Sequence, residues 1–242
     1  MYLSRFIFIV CFFKMTLALT PTYEDYFMIR NVGQGLWTTH VTNTTCEHFD
    51  FGGEIFQFQK IKKQFISQCS SKLNILHLSH TDLDHYSFLE LIVHNSRNTC
   101  WGTRPPEPLK NEPPTIPYCF THGAHQIVFY DLKAQNKNDR SIVQKVSAFL
   151  IPGDSSIRME KIWFKRLKTL NPPTKYLVLG HHGSRTSTGD ALLIHLPELK
   201  LAIASARFQK YRHPHIQTIK KLREHQVPLI KTEDWGDIRI NY

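Results

Sequence analysis

No cysteine of this chain stands in a C-x-x-C pattern, which excludes a paired-thiolate zinc centre of that kind. No internal repeat is visible, which excludes a solenoid or propeller. Acidic residues are few: 20 Asp and Glu face 30 Lys and Arg among 242 residues, for a formal net charge of +10. That imbalance favours a polyanionic partner such as nucleic acid or an anionic envelope polymer, with a surface charged for solubility as the equal alternative. The one continuous apolar run, Phe6 to Phe13, is too short for a bilayer span and is followed by Lys14.

That run has a different meaning near the N-terminus. Arg5, the apolar core 6–13 and a small-residue stretch at Thr16-Leu17-Ala18 or Ala18-Leu19-Thr20 read as a secretory signal over residues 1–20, with a retained N-terminal anchor as the alternative. Cleavage takes away Arg5 and Lys14 and leaves +8. A secreted or periplasmic protein with no stable membrane insertion follows. Cys46, Cys69, Cys100 and Cys119 remain, enough for two disulfides in an oxidising compartment, with three possible pairings. Asn43-Thr44-Thr45 fits a glycosylation sequon.

Residues 21–242 have the length and ordinary 41% hydrophobic content of a single domain. Strands are expected at Tyr26 to Asn31, Leu36 to His40, Glu47 to Phe51, Asn74 to Ser79, Ile127 to Leu132, Ser141 to Ile151, Tyr176 to Leu179, Leu201 to Ala204, Pro228 to Lys231 and Ile238 to Asn241. Helical spacing marks Ile55 to Ile66, Phe88 to Ile92, a basic amphipathic helix Ile157 to Leu167, and a helix from Pro214 to about His225. The six prolines between 104 and 117 make an extended surface loop, not a domain linker. Alternating strands and helices give an α/β domain.

The chemistry concentrates in His80-Thr81-Asp82-Leu83-Asp84-His85, directly after the apolar stretch Ile75-Leu76-His77-Leu78. A cap for the next helix explains one acid, not four ligand-type residues in six positions. Imidazole and carboxylate suit Zn²⁺, Mn²⁺ and Fe²⁺, and ligands for two ions from one segment imply hydrolysis by metal-activated water. Three further segments also follow buried strands: Asp154 after Ile151, Gly180-His181-His182-Gly183-Ser184-Arg185-Thr186, and Tyr211-Arg212-His213-Pro214-His215. His213 is divided evenly between a helix start and a phosphate contact. Asp50 is assigned to bracing the metal run by accepting hydrogen bonds. His122 and His125 are expected at the surface, and Lys161, Lys165, Arg166 and Lys168 on a solvated helix face.

The order of these motifs, from Asn31-Val32-Gly33-Gln34-Gly35 and Asp50-Phe51-Gly52-Gly53 through 80–85, Asn138-Asp139-Arg140-Ser141, Gly153-Asp154 and Gly180–Ser184 to His213-Pro214, resembles the metallo-β-lactamase-fold domain of ComEC-type DNA-uptake proteins over residues 26–242. The resemblance implies an αββα sandwich and a nuclease. It further implies that His80 and Asp82 ligate one ion, that Asp84 and His85 ligate the other, and that Asp154 bridges them. One of His181 and His182 is then the late ligand and the other a phosphate contact. Asn138 stands where the wider superfamily places a histidine ligand. Asn31 departs from the usual aspartate, and only residues 142–153 separate Ser141 from Asp154, short for the usual hairpin.

The expected function is an exported hydrolase that cleaves DNA or another phosphodiester with two divalent ions, Mn²⁺ ahead of Zn²⁺ because several ligands are carboxylates. Asp84, His182, Asn138 and Arg185 are its catalytic candidates. Ser184, Arg185, Thr186 and His213 are candidates for phosphate contact. A phosphoesterase on a small or envelope substrate, similar to phosphorylcholine esterases, and a non-catalytic metal-binding protein remain as alternatives.

Overall fold

Alternation along the strands sorts the apolar side chains into three layers. On β1 (Asp25–Ile29), Tyr26 and Met28 point one way and Phe27 and Ile29 the other. The strands β2 (Trp37–Thr42), β3 (Thr45–Phe51), β4 (Leu73–His77) and β5 (Asn98–Thr103) continue this sheet. A second sheet starts with β6 (His125–Phe129), β7 (Val143–Val146) and β8 (Phe149–Ile151) and continues with β9 (Tyr176–Val178), β10 (Leu201–Ala204) and β11 (Leu229–Lys231). The last strand, β12 (Ile238–Asn241), returns to pair with β1. The sheet orders are β12-β1-β2-β3-β4-β5 and β11-β10-β9-β8-β7-β6, each mixed parallel and antiparallel. This computed structural model describes residues 25–105, 107–110, 116–120 and 125–241. The expected signal over 1–20 and His122 lie outside the described residues.

Phe27, Ile29, Phe49, Phe149, Ile151, Val178 and Ile203 pack between the sheets. On the outer face of the first sheet, α1 (Phe58–Cys69), the single turn α2 (Leu83–Tyr86) and α3 (Leu89–Asn95) cover Trp37, Phe51 and Trp101. On the outer face of the second, α4 (Ile157–Trp163) and α5 (Asp190–Ile194) bury Met159, Trp163 and Leu192; the turn α6 (Phe208–Tyr211) and the helix α7 (Ile216–Glu224) follow, and α7 adds Leu222. The result is an αββα sandwich. Among the described residues no helix is long and apolar enough to cross a membrane.

Several boundaries differ from those expected. Residues 141–151 are not one strand but a hairpin, because Ser147 turns the chain with φ 47° between β7 and β8. Residues 142–153 are therefore enough for the hairpin that precedes Asp154. The strand expected at 127–132 lies at 125–129. The basic helix stops at Trp163 and tightens into a 3₁₀ segment, Phe164–Thr169, that still leaves Lys161, Lys165, Arg166 and Lys168 exposed. The last long helix starts at Ile216 rather than Pro214, with the His215 side chain capping it by accepting from the Gln217 N–H. β5 was not expected: Asn98 and Gly102 break its apolar pattern.

Two disulfides, Cys46–Cys69 and Cys100–Cys119, resolve the pairing. The sequon residue Asn43 is exposed in the turn between β2 and β3.

His48 on β3 is buried between Trp37, whose indole N–H donates to Nδ1 at 3.1 Å, and Asn74, whose Oδ1 is 2.9 Å from Nε2. Burial, only partly offset by Asn74, pushes this imidazole down to about 3 from its ordinary 6.5. Between those values the unfolded chain binds a proton that the folded chain refuses, so the stabilising contribution is complete above pH 6.5 and is lost as pH falls through the window. From pH 7 to pH 5 this group alone is expected to remove on the order of 2 kcal/mol. Urea midpoints of His48→Gln should therefore fall less over that interval than those of the unaltered protein; equal slopes would refute this assignment.

Candidate metal centre

β4 ends at His77, and the chain runs on through Leu78 and Ser79 to deliver His80 into the cleft where both sheets end. Asp82 stands immediately before α2, so Asp84 and His85 lie on its first turn. The two glycine turns make this placement possible. A Cβ at Gly52 would lie 2.4 Å from the Asp84 carbonyl carbon, and one at Gly35 2.7 Å from the Asp84 oxygen. Glycine at both positions lets β2 and β3 press flush against the metal run, and the Leu36 N–H donates to the Asp84 carbonyl at 3.0 Å. Asn31 takes up the usual aspartate's turn role, its Oδ1 accepting from the Gly33 N–H at 3.3 Å.

Asp50 is wholly buried with φ 52°. It accepts from the Ser79 N–H at 2.7 Å, from Ser79 Oγ at 2.8 Å and from His85 Nδ1 at 2.8 Å. That last bond turns His85 Nε2 toward the cleft, the orientation a histidine ligand takes when a carboxylate holds its other nitrogen. His182 is held in the same way, with Nδ1 3.0 Å from the Ser205 carbonyl and Nε2 3.2 Å from Asp84 Oδ2. His181 and His182 both have left-handed backbones, φ 49° and 55°, so adjacent side chains diverge to two places in the cleft. Such strain collects at functional sites.

Asp154 sits at the centre. The Ser141 hydroxyl accepts from its N–H at 3.0 Å. Its Oδ1 is 3.1 Å from His85 Nε2, while its Oδ2 is 3.7 Å from His80 Nε2 and 3.5 Å from His181 Nε2. Asp82 Oδ2 is 3.5 Å from His80 Nε2. Two groups of donors come together, His80, His85 and Asp154 in one and Asp84, His85 and His182 in the other, with Asp82 beside His80 and His181 beside Asp154. Buried polar atoms are nearly always paired, yet His80 Nε2, His85 Nε2 and Asp154 Oδ1 are buried with no hydrogen-bond partner of adequate geometry. These imidazole and carboxylate donors fit divalent ions of the Mn²⁺ and Zn²⁺ type.

The electrostatics agree. Burial pushes the Asp154 carboxyl up, but the charges of His85, His182 and His80 hold it well below the carboxylate range. Asp84 follows the same pattern: burial pushes it up, and the His182 hydrogen bond together with the charges of His85 and His182 outweighs burial and holds it down. The His80 imidazole holds Asp82 down. For His85, burial is overcome by Asp154 and Asp50, which hold the ring well above its usual value. A site that keeps its acids ionised and draws positive charge onto an imidazole is built for cations.

Asn138 does not stand among the donors; its Nδ2 is 3.3 Å from His181 Nδ1 and braces that ring. Ser184 is buried, with Oγ 3.0 Å from Thr186 Oγ1, which lies 3.4 Å from His181 Nδ1. Arg185 is exposed in the same turn. The half-buried His213 ring stacks edge-on to His181 at 5.9 Å, and burial followed by the His182 and His181 charges lowers it to about 4. It is therefore neutral at pH 7. Beyond it, Tyr211 is 56% exposed and Phe208 40%, with Lys210 and Arg212 over their faces.

Ser79 and the Ser205 carbonyl were missed by sequence reading, since a bracing serine or carbonyl carries no motif, and Ser141 was in view only as the end of the Asn138–Ser141 motif, without its bracing role. His125 corrects an expectation: it is half-buried against Phe49 and His77, not at the surface, because β6 lies at the sheet edge facing the first sheet.

No protein-family model matches the chain. It is 26% identical to Recombination protein 2 of Haemophilus influenzae over 239 residues, 88% of this chain and 28% of that protein. It is 28% identical to ComE operon protein 3 of Bacillus subtilis over 113 residues, 44% of this chain and 14% of that protein. The chain thus spans less than a third of either relative's length.

Proposed function

We propose that the chain is an exported metal-dependent phosphodiesterase that cleaves DNA. The observation that carries this reading is the position of Asp154, with Oδ2 turned toward His80 and His181 and Oδ1 toward His85. On this reading His80, Asp82, Asp154 and His181 hold one ion, and Asp84, His85, Asp154 and His182 hold the other. Both histidines of the pair are then ligands. When bound, such ions make a nucleophile from water at neutral pH and stabilise charge on phosphate oxygens. Three carboxylates in the set favour Mn²⁺ over Zn²⁺.

The chain's own groups do the rest. Asp50 and the Ser205 carbonyl fix the tautomers of His85 and His182. Asp84, with its side chain 35% exposed, lies at the open side to accept a proton from the attacking water. Ser184, Thr186 and Arg185 lie in one turn beside His181, where hydroxyls and a guanidinium meet a phosphate. His213 is neutral there, so its contribution to a phosphate is a hydrogen bond and not charge.

DNA as substrate rests on the net charge of +10, on the resemblance to ComEC-type domains and on relatives whose names concern recombination and the ComE operon. Tyr211 and Phe208 with their flanking cations add a stacking platform of the kind that holds single strands. Tyr211→Ala is expected to weaken single-stranded DNA binding about 5- to 150-fold, the effect of losing one base stack. Its salt dependence should be unchanged, because no phosphate contact is removed. Fluorescence anisotropy at several salt concentrations reads both; unchanged affinity refutes the platform. The reading as a whole is tested by incubating purified protein with circular and single-stranded DNA in Mn²⁺ and in Zn²⁺. Cleavage that chelator abolishes is expected. Absence of cleavage with every metal overturns it, and hydrolysis of small phosphodiesters in its place would mark an esterase.

A further inference from the structure

A second group of ligand-type side chains lies between the sheets, outside the cleft. Glu47 on β3 and His77 on β4 belong to the first sheet, and His125 on β6 to the second. One ligand atom from each lies within 4.8 Å of the others. His77 is completely buried, and neither of its ring nitrogens has a hydrogen-bond partner. The nearest carboxylate, Glu47 Oε2, is 3.9 Å from Nε2, beyond hydrogen-bond reach. The ring is held nonetheless. It stacks on Phe49 at 4.8 Å and 12°, and its centroid is 3.9 Å from that of His125. β5 is cut back to receive it, since a Cβ at Gly102 would lie 2.3 Å from His77 Cε1. His125 is oriented by Thr103 Oγ1, 3.0 Å from its Nε2.

Burying an imidazole with neither nitrogen satisfied is costly. A histidine kept only for packing would be better replaced by leucine or phenylalanine, with no glycine needed opposite. Two imidazoles and a carboxylate, drawn from strands of both sheets, make a donor set for a borderline divalent ion. We propose that Glu47, His77 and His125 form a second metal site, of zinc type, that pins the edge strand β6 of one sheet onto β3 and β4 of the other. Zinc bonds of about 2.0–2.2 Å place tetrahedral donors roughly 3.3–3.6 Å apart. No side of the present triangle exceeds 4.8 Å, so each has to shorten by about 1.5 Å at most. Three protein ligands leave one position for water, and burial of Glu47 and His77 shuts out a substrate, so the role is structural.

The test uses the whole chain with the cleft disabled by His80→Ala, His85→Ala and Asp154→Ala, which leaves no three-ligand set there. After chelation and return of Zn²⁺, metal analysis should find one tightly bound equivalent. Zinc at about a thousand times its dissociation constant should raise Tm by roughly 10 °C. X-ray absorption at the zinc edge should show imidazole nitrogens. Glu47→Gln, which keeps shape, should abolish both the bound zinc and the shift, and His125→Ala on the edge strand should do the same. No zinc bound by the cleft-disabled protein overturns the proposal, as does zinc retained unchanged by Glu47→Gln. Should the cleft-disabled protein not fold, Glu47→Gln is made alone. It should then lose one metal equivalent while DNA cleavage is unchanged, and an unaltered metal content overturns the proposal. The cleft-disabled arm does not depend on the nuclease reading.

Discussion

Asp154→Ala is expected to abolish DNA cleavage while leaving DNA affinity close to that of the unaltered protein. The carboxylate is buried, with Oδ2 beside His80 and His181 and Oδ1 beside His85, so on the proposed reading its loss strikes both ion sites at once. On the proposed reading affinity comes from backbone phosphates meeting a basic surface, to which a buried carboxylate adds nothing. Asp50→Asn provides the graded comparison. Asp50 touches His85 only through Nδ1, and losing such an orienting partner costs about 10- to 100-fold in metal affinity or activity. Asp154→Ala should fall well below that, and Arg185→Ala should differ from both by weakening binding and its salt dependence. Cleavage rate and affinity are to be compared at matched salt in Mn²⁺ and Zn²⁺. If Asp154→Ala cuts DNA like the unaltered protein, the two-ion reading fails.

The parts of this centre that sequence made legible are those whose chemistry is intrinsic to the side chain. His80, Asp82, Asp84, His85 and Asp154 converge as their types and strand-end positions imply, and the glycine turns that back them were visible as turns. Their reason was not. Gly35 and Gly52 are there because the Asp84 backbone lies against them, a contact across 49 and 32 residues of chain that no local pattern encodes. The choice between His181 and His182 had the same obstacle. Successive left-handed residues aim the two rings apart, and that conformation is set by Gly180, Gly183 and the segment at Pro214. Fold legibility followed periodicity. Strands with clean alternation, such as β1 and β10, lie within one or two residues of expectation, whereas β5 was missed because Gly102 makes room for His77. His77 itself was in view as a histidine inside an apolar run; its neighbours Glu47 and His125 come from other strands.

Reduction of the two disulfides is expected to lower Tm by roughly 6–12 °C for each bridge, starting from about 3 kcal/mol of lost loop-closure constraint. Cys46–Cys69 closes a separation of 23 residues and Cys100–Cys119 one of 19. Each has one cysteine on a strand of the first sheet. The first ties β3, which carries Asp50, to the end of α1; the Cys69 carbonyl there accepts from Asn74 Nδ2, and Asn74 in turn orients His48. The second ties β5 to the chain beyond the proline loop, where Cys119 N–H donates to the Trp101 carbonyl at 2.9 Å. Loosening should therefore begin in β3, β4 and β5 while β9 and β10, which no disulfide crosses, stay protected. Hydrogen exchange with and without reductant reads that order directly, and calorimetry reads the melt. A double serine variant at 46 and 69 should reproduce about half of the total loss. The same bridges require an oxidising compartment to form, which links them to the proposed export. A melt that reductant does not move would show that the bridges carry no stability, and free thiols in protein matured in an oxidising compartment would show that the bridges do not form.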